Sequence, residues 1–197
     1  MKNSNLVFPS AVRVLKSRPW PGGPGVSALA LAAALAFAGC GENKSASAAA
    51  VAVAAPKTAA DYFPIKVGDK TVRMQLAVRS DEMEHGMMDR HDLGRDDGMI
   101  FVYAKPQQMQ FWMHNTPTAL DIGFFDAGGM LEEVYPMHPF DEKTVSSRSS
   151  LLSFALEMNQ GWFGANTVRP GAQLDLKALA VALKARGFDP AKYGLKE

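Results

Sequence analysis

Two acids stand where strand-like patterns call for apolar residues. Asp121 interrupts Leu120-Asp121-Ile122-Gly123-Phe124, and Glu157 sits between Leu156 and Met158. A carboxylate among apolar neighbours must find donors or shift its pKa. Upstream, Gln110, Trp112 and His114 alternate with Met109, Phe111 and Met113, so Trp112 and His114 share a strand face. Asn115-Thr116-Pro117-Thr118 carries the residue types of a tight turn. A hairpin about that turn sets His114 against Ala119 and Trp112 against Asp121. In this register Trp112, His114, Asn115 and Asp121 converge on one concave surface, with Glu157 at its edge. One aromatic platform, one imidazole, one amide and two carboxylates suit a polar, ring-containing ligand such as a sugar or cell-wall fragment. A structural reading stands beside this one. An Asp next to a turn often accepts backbone N–H bonds, and a Glu facing outward on an edge strand needs no partner.

Other chemistry finds less support. His85, His91, His114 and His138 include no pair at a metal-ligand spacing. Methionine with histidine suits cuprous copper, but Met74, Met83, Met99, Met109, Met113 and Met158 fall on faces expected to be buried, where methionine is core filler. No nucleophile elbow, phosphate loop, dinucleotide fingerprint or zinc-protease helix is present. No metal or cofactor is therefore expected. Asp89-Arg90-His91-Asp92 reads as a solvated turn, and Trp162-Phe163 as the lining of a pocket or, in preference, a plug for the end of a barrel.

The elements that must carry these residues are mostly short strands. Tyr62 to Val67, a Gly68-Asp69 turn and the alternating Val72, Met74, Leu76 and Val78 make a hairpin. Ser80 is placed to cap a short helix beginning at Asp81. Met99–Tyr103, Gln108–His114, Leu120–Phe124, Met130–Tyr135 and Leu151–Met158 follow as strands, with Pro136 to Ser150 as a long polar loop. Leu176, Leu179 and Leu183 mark an amphipathic helix that Gly187 stops. The fold class expected is mainly β, a compact barrel or sandwich with short helices and a C-terminal helix. Met99, Phe101, Phe111, Leu120, Ile122, Phe124 and Leu156 are its expected core.

The first forty residues have a different character. Lys2, Arg13, Lys16 and Arg18 precede an apolar run from Val26 to Ala38, broken only by Ser27. That length fits a signal-peptide core and is short for a membrane span. The run ends in Phe37-Ala38-Gly39-Cys40, which resembles the bacterial lipobox, with Phe37 where Leu is usual. Cys40 is the chain's one cysteine, so it offers a lipidation site and no disulfide. Residues 1–39 are read as a lipoprotein signal peptide, 40–60 as a lipidated Ala/Ser-rich tether and 61–197 as one globular domain. Removing the leader leaves 17 basic against 20 acidic residues, a net charge of −3. That balance offers no footprint for nucleic acid. The membrane, through the lipid, is the expected partner. With Gly41 after the cysteine, resemblance to known sorting patterns implies the periplasmic face of the outer membrane.

Five blocks in order carry a further resemblance. They are Gly86-Met87-Met88-Asp89-Arg90, Gly98-Met99-Ile100-Phe101-Val102, Phe111-Trp112-Met113-His114-Asn115-Thr116, Leu120-Asp121-Ile122 and Ala155-Leu156-Glu157. Together they are similar to the family called domain of unknown function 192, over about Thr71 to Leu176. The resemblance implies a small, mainly β, barrel-like domain, often exported, and supplies no activity. His114 stands where Lys is usual, Met87 where Leu is usual, and the loop after Met137 lacks the cysteine pair of many members. The helix after Leu176 is an addition to the shared domain.

Three functions compete. The first is a non-enzymatic binding or accessory module for a polar ligand, lipid-anchored in the cell envelope. The second is a glycan hydrolase with Asp121 and Glu157 as its acid–base pair, which requires carboxyls roughly 5 to 9.5 Å apart across a cleft. The third is a structural partner in envelope assembly that docks through the C-terminal helix. The targeting expectation is directly testable. Cys40→Ser should abolish palmitate labelling and release the protein from the membrane fraction, and labelling that persists in that variant would refute lipidation.

Overall fold

The computed structural model describes residues 57–196; the expected signal peptide, Cys40 and most of the tether lie outside them. Among the described residues, eight strands and three α-helices form, in the order β1 (Phe63–Val67), β2 (Lys70–Ala77), α1 (Ser80–His85), β3 (Asp97–Gln107), β4 (Gln110–Phe111), β5 (Leu120–Asp126), β6 (Leu131–Met137), β7 (Val145–Ser146), β8 (Leu152–Asn159), α2 (Trp162–Ala165) and α3 (Leu176–Ala185). Six strands make one sheet in the order β1-β2-β3-β8-β5-β6, and β4 pairs with β7 in a second, two-stranded sheet. The architecture is mainly β and sandwich-like, as the alternating segments predict. The sheet does not close into a barrel. Residues 171–175 instead cross from one edge strand to the other. Gly68 donates to the Gln173 carbonyl at 2.8 Å, and Leu131 donates to the Ala172 carbonyl at 2.9 Å.

The first hairpin forms as expected, with Ile65 opposite Val72 and Gly68 at φ +57° in its turn. The next pairing is parallel, β2 on β3, and the chain crosses between them through α1. The hairpin expected between 110–114 and 119–124 does not form. Gln110 and Phe111 pair with Ser146 and Val145, inside the stretch expected to be a polar loop. Leu120–Asp126 enters the large sheet between β6 and β8. Alternation fixes which side chains share a face, but not which strand lies alongside.

Each face of the large sheet has its own core. Val72, Ile100, Leu156, Met158, Trp162, Phe163, Leu179 and Leu183 pack on one side. Met99, Phe101, Phe111, Leu120, Ile122 and Phe124 pack on the other, beneath the small sheet. All seven residues expected in the core are buried. Trp162 and Phe163 fill the helical side rather than plug a barrel. Phe163 sits so close that a Cβ on Gly123 would come within 2.7 Å of its ring.

The helix α1 has only six residues, too few to persist on its own propensity. Its first turn is closed by Glu82, not by Ser80. Glu82 Oε2 accepts from the backbone N–H groups of Val78 and Arg79, each at 3.0 Å. Glu82 Oε1 accepts from Arg186 Nη2 at 2.5 Å, and Arg186 Nη1 donates to the Leu76 carbonyl. Burial opposes ionisation of Glu82, but the hydrogen bonds from Arg186, Arg79 and Val78 hold its pKa below the ordinary value. Beside this pair, Lys57 donates its backbone N–H to the Ala185 carbonyl at 3.0 Å. Asp89-Arg90-His91-Asp92 is not a purely solvated turn either. Arg90 reaches Gln75 at 2.8 Å and the Tyr62 hydroxyl at 2.9 Å.

Breaking a buried ion pair from one side leaves the other charge without compensation. Arg186→Ala should therefore lower unfolding free energy by about 3–5 kcal/mol, read from urea titration. A loss below about 1 kcal/mol, the range of an exposed pair, would show that α1 is held by other contacts.

Candidate functional site

Glu157 lies on β8, paired with Met99 of β3 on one side and Ile122 of β5 on the other. Both neighbours belong to the core beneath the small sheet, so the Glu157 side chain points to that face. It is 4% exposed, and its Oε2 has no hydrogen-bond partner among the described residues. Burial pushes its pKa up to about 8. At neutral pH the group is a neutral carboxylic acid, able to donate one hydrogen bond and accept others.

Glu157 borders a cavity of about 360 Å³ that α1, β3 and β4 enclose. Phe101, Tyr103, Phe111 and Trp112 supply aromatic wall, and Met83, Met87 and Met88 supply thioethers. Burial, and then the charge of Glu157, push the Tyr103 phenol up to about 12. Phe111 is fixed edge-on against Phe101, ring centroids 4.9 Å apart at 83°. The turn after α1 keeps the floor open. Gly86 adopts φ +50°, and a Cβ there would lie 3.3 Å from the Phe101 ring and 3.8 Å from Glu157 Oε2. An L side chain at Gly86 would be strained by the backbone and would intrude on the cavity.

Trp112 stands at the lip, 47% exposed. Its ring stacks on His114 at 4.8 Å and 17°, and His114 Nδ1 donates to Glu142 Oε1 at 2.8 Å. A second, open groove of about 430 Å³ runs along Trp112, His114, Asn115, Asp81 and Glu84. It shares Trp112, Glu84, His85 and Met88 with the cavity. Asn115 is held in the left-handed region at φ +50°, and its carbonyl accepts the Asp89 N–H at 2.9 Å.

Of the residues expected to converge, Trp112, His114 and Asn115 line one groove, and Glu157 lies at the base of the adjoining cavity rather than at an edge. Asp121 does not join them. It pairs across the sheet with Met158 and Pro136, and Met158 belongs to the helical-side core. Its carboxylate accepts the Gly161 N–H at 2.8 Å, which ties β5 to the turn before α2 rather than to the Asn115–Thr118 turn. Burial raises its pKa and that bond partly offsets the rise. Asp121 and Glu157 therefore project from opposite faces of one sheet. Glu142, not Asp121, is the acid beside His114. Tyr103, Gly86, Glu84 and His85 also line the cavity, with no signal in the sequence that points to them. Tyr103 merely ends an apolar run, and the short Met83-Glu84-His85-Gly86 stretch carries no spacing that marks a site.

A family model for uncharacterised proteins, DUF192 ("Uncharacterized ACR"), matches residues 63–176. The match spans more than half of the chain, which belongs to this family. No curated protein matches. Among solved structures, a protein of unknown function from Novosphingobium aromaticivorans is 30% identical with a TM-score of 0.56, covering 62% of this chain and 93% of that one. A protein from Sinorhizobium meliloti described as a "putative transcription regulator" is 25% identical with a TM-score of 0.57, covering 60% and 95%. All five predicted site residues lie inside the matched segment. Arg186, which holds α1 at the cavity lip, lies outside it.

The buried acid has a thermodynamic signature. Between its ordinary value of 4.5 and about 8, the unfolded chain carries Glu157 ionised while the folded chain keeps it protonated. Its contribution is therefore full below the unfolded value, falls as pH rises through that window, and levels off above the folded value. Unfolding free energy of the wild type minus that of Glu157→Gln should fall by about 1.4 kcal/mol per pH unit between pH 5 and 8. A flat difference would place an ionised Glu157 in the folded protein.

Proposed function

We propose that this DUF192 member is a non-enzymatic binding or accessory module, carried on a lipid anchor in the bacterial cell envelope, which takes a small polar ligand over Glu157 and Trp112. The observation that supports it best is the unpartnered, buried Glu157 carboxyl bordering an aromatic-walled cavity. A buried polar atom without a partner is costly, and a ligand that supplies a hydrogen bond or an opposite charge to that carboxyl recovers part of the cost. Trp112 at the lip adds an exposed aromatic face next to it.

The hydrolase alternative loses its acid–base pair. Two carboxyls that leave a sheet in opposite directions cannot flank one glycosidic bond. Docking through α3 has modest support. Val181 is 70% exposed there beside Ala180 and Pro190, a short apolar patch bordered by Lys177, Lys184 and Lys196.

The address and the ligand are tested separately. The Cys40→Ser fractionation described above addresses the anchor. For the ligand, a thermal-shift screen with sugars, cell-wall fragments and small organic ions should find compounds that raise the midpoint as concentration passes the dissociation constant. Trp112→Ala should then weaken such binding about five- to tenfold, the worth of one stacking contact, while leaving the unliganded midpoint within a degree or two. Unchanged affinity in Trp112→Ala and in Glu157→Gln would remove this cavity from the binding reading.

A further inference from the structure

We propose that the cavity over Glu157 takes an organic cation, an ammonium group carried on a ring or on methyl groups, with its charge against the Glu157 carboxylate and its body against Phe101, Phe111 and Trp112. The inference rests on the binding reading above and names the class of ligand.

Charge is the first argument. Among the described residues lining the cavity and the adjoining groove there is no Lys or Arg, whereas the acids Glu84 and Asp81 stand beside Glu157, which itself becomes anionic above about pH 8. Such a lining favours a positive ligand over an anionic one. The walls are the second. Trp112 and the half-buried Tyr103 offer ring surface to an alkylammonium, with the buried Phe101 and Phe111 rings behind them, and cation–π attraction favours such a ligand. The third is the Glu157 carboxyl, which is more than nine-tenths buried and lines the cavity; its Oε2 has no partner, and among the described residues no basic group pairs with it. The two histidines, His85 and His114, are the remaining charge-bearing candidates, and His114 is already engaged by Glu142.

Protonation separates a cation from a neutral ligand. With no ligand, Glu157 stays protonated up to about pH 8. A cation binds the ionised form, so its arrival expels a proton and its affinity climbs with pH. A neutral hydrogen-bonding ligand binds the protonated form as donor, so its affinity falls above that point. The titratable groups facing Glu157 are Tyr103 from β3 and Glu84 and His85 from α1; Ile122 of β5 and Phe111 of β4 are apolar.

The test is calorimetric titration of the purified full chain with benzyltrimethylammonium, which has no titratable proton, and with neutral benzyl alcohol. Measurements run at pH 6, 7, 8 and 9. Benzyltrimethylammonium should bind, tightening about tenfold per unit from pH 6 to 8 and levelling beyond, with protons released to the buffer. Glu157→Gln should abolish the rise and weaken binding at pH 9 at least tenfold, while His85→Gln keeps the rise. A pH-independent affinity, or equal binding of benzyl alcohol, would overturn the cation assignment. Binding of benzyl alcohol or a sugar alone, lost above pH 8, would also overturn it while leaving the binding-module reading intact. Failure of every compound in the broader screen, neutral and charged, would bring down both.

Discussion

The central strand of the large sheet carries an acid in a position that only an apolar side chain could occupy without penalty, and the surroundings of that acid are organised by this cost. β8 is hydrogen-bonded on both sides, by β3 and β5, so Glu157 cannot swing to solvent without breaking the sheet. The protein meets the constraint by keeping the group neutral and by leaving a void beside it. Gly86, which lines the cavity and where a Cβ would lie 3.8 Å from Glu157 Oε2, makes that void possible. A larger residue there would intrude on the cavity.

The lip of the cavity depends on contacts from far along the chain. A six-residue helix carrying Met83, Glu84 and His85 has little stability of its own. It is fixed because Glu82 is shared between its own N-terminal N–H groups and Arg186. The family match ends at residue 176, where α3 begins. A segment outside the shared domain thus shapes a site whose visible residues lie inside it. The amphipathic pattern of Leu176, Leu179 and Leu183 announces a packed helix, but nothing in it announces an arginine with a structural task one residue beyond.

Local pattern carried much of the fold. The β1–β2 hairpin, the placement of β5, β6 and β8, the core of seven residues and α3 follow from alternation, turn residues and helical spacing. Partner choice between distant segments did not. β4 meets β7 across more than thirty residues, and β2 meets β3 in parallel, because burial of both faces of the large sheet selects those neighbours. The assignment of the two acids shows how narrow the margin is. Asp121 pairs with Met158 and Ile122 with Glu157. A register shifted by one residue would have put Asp121 and Glu157 together on one face. The alternation placed Asp121 correctly against Leu120 and Ile122; what it could not supply was the neighbouring strand.

The bond between Lys57 and Ala185 gives the domain a mechanical layout. That bond couples the backbone at Lys57 to the last turn of α3, one residue from Arg186. The chain of contacts continues from Ala185 to Arg186, and through Glu82 to the helix at the cavity mouth. Peeling Lys57 from Ala185 would therefore act on the same corner that keeps the mouth in shape.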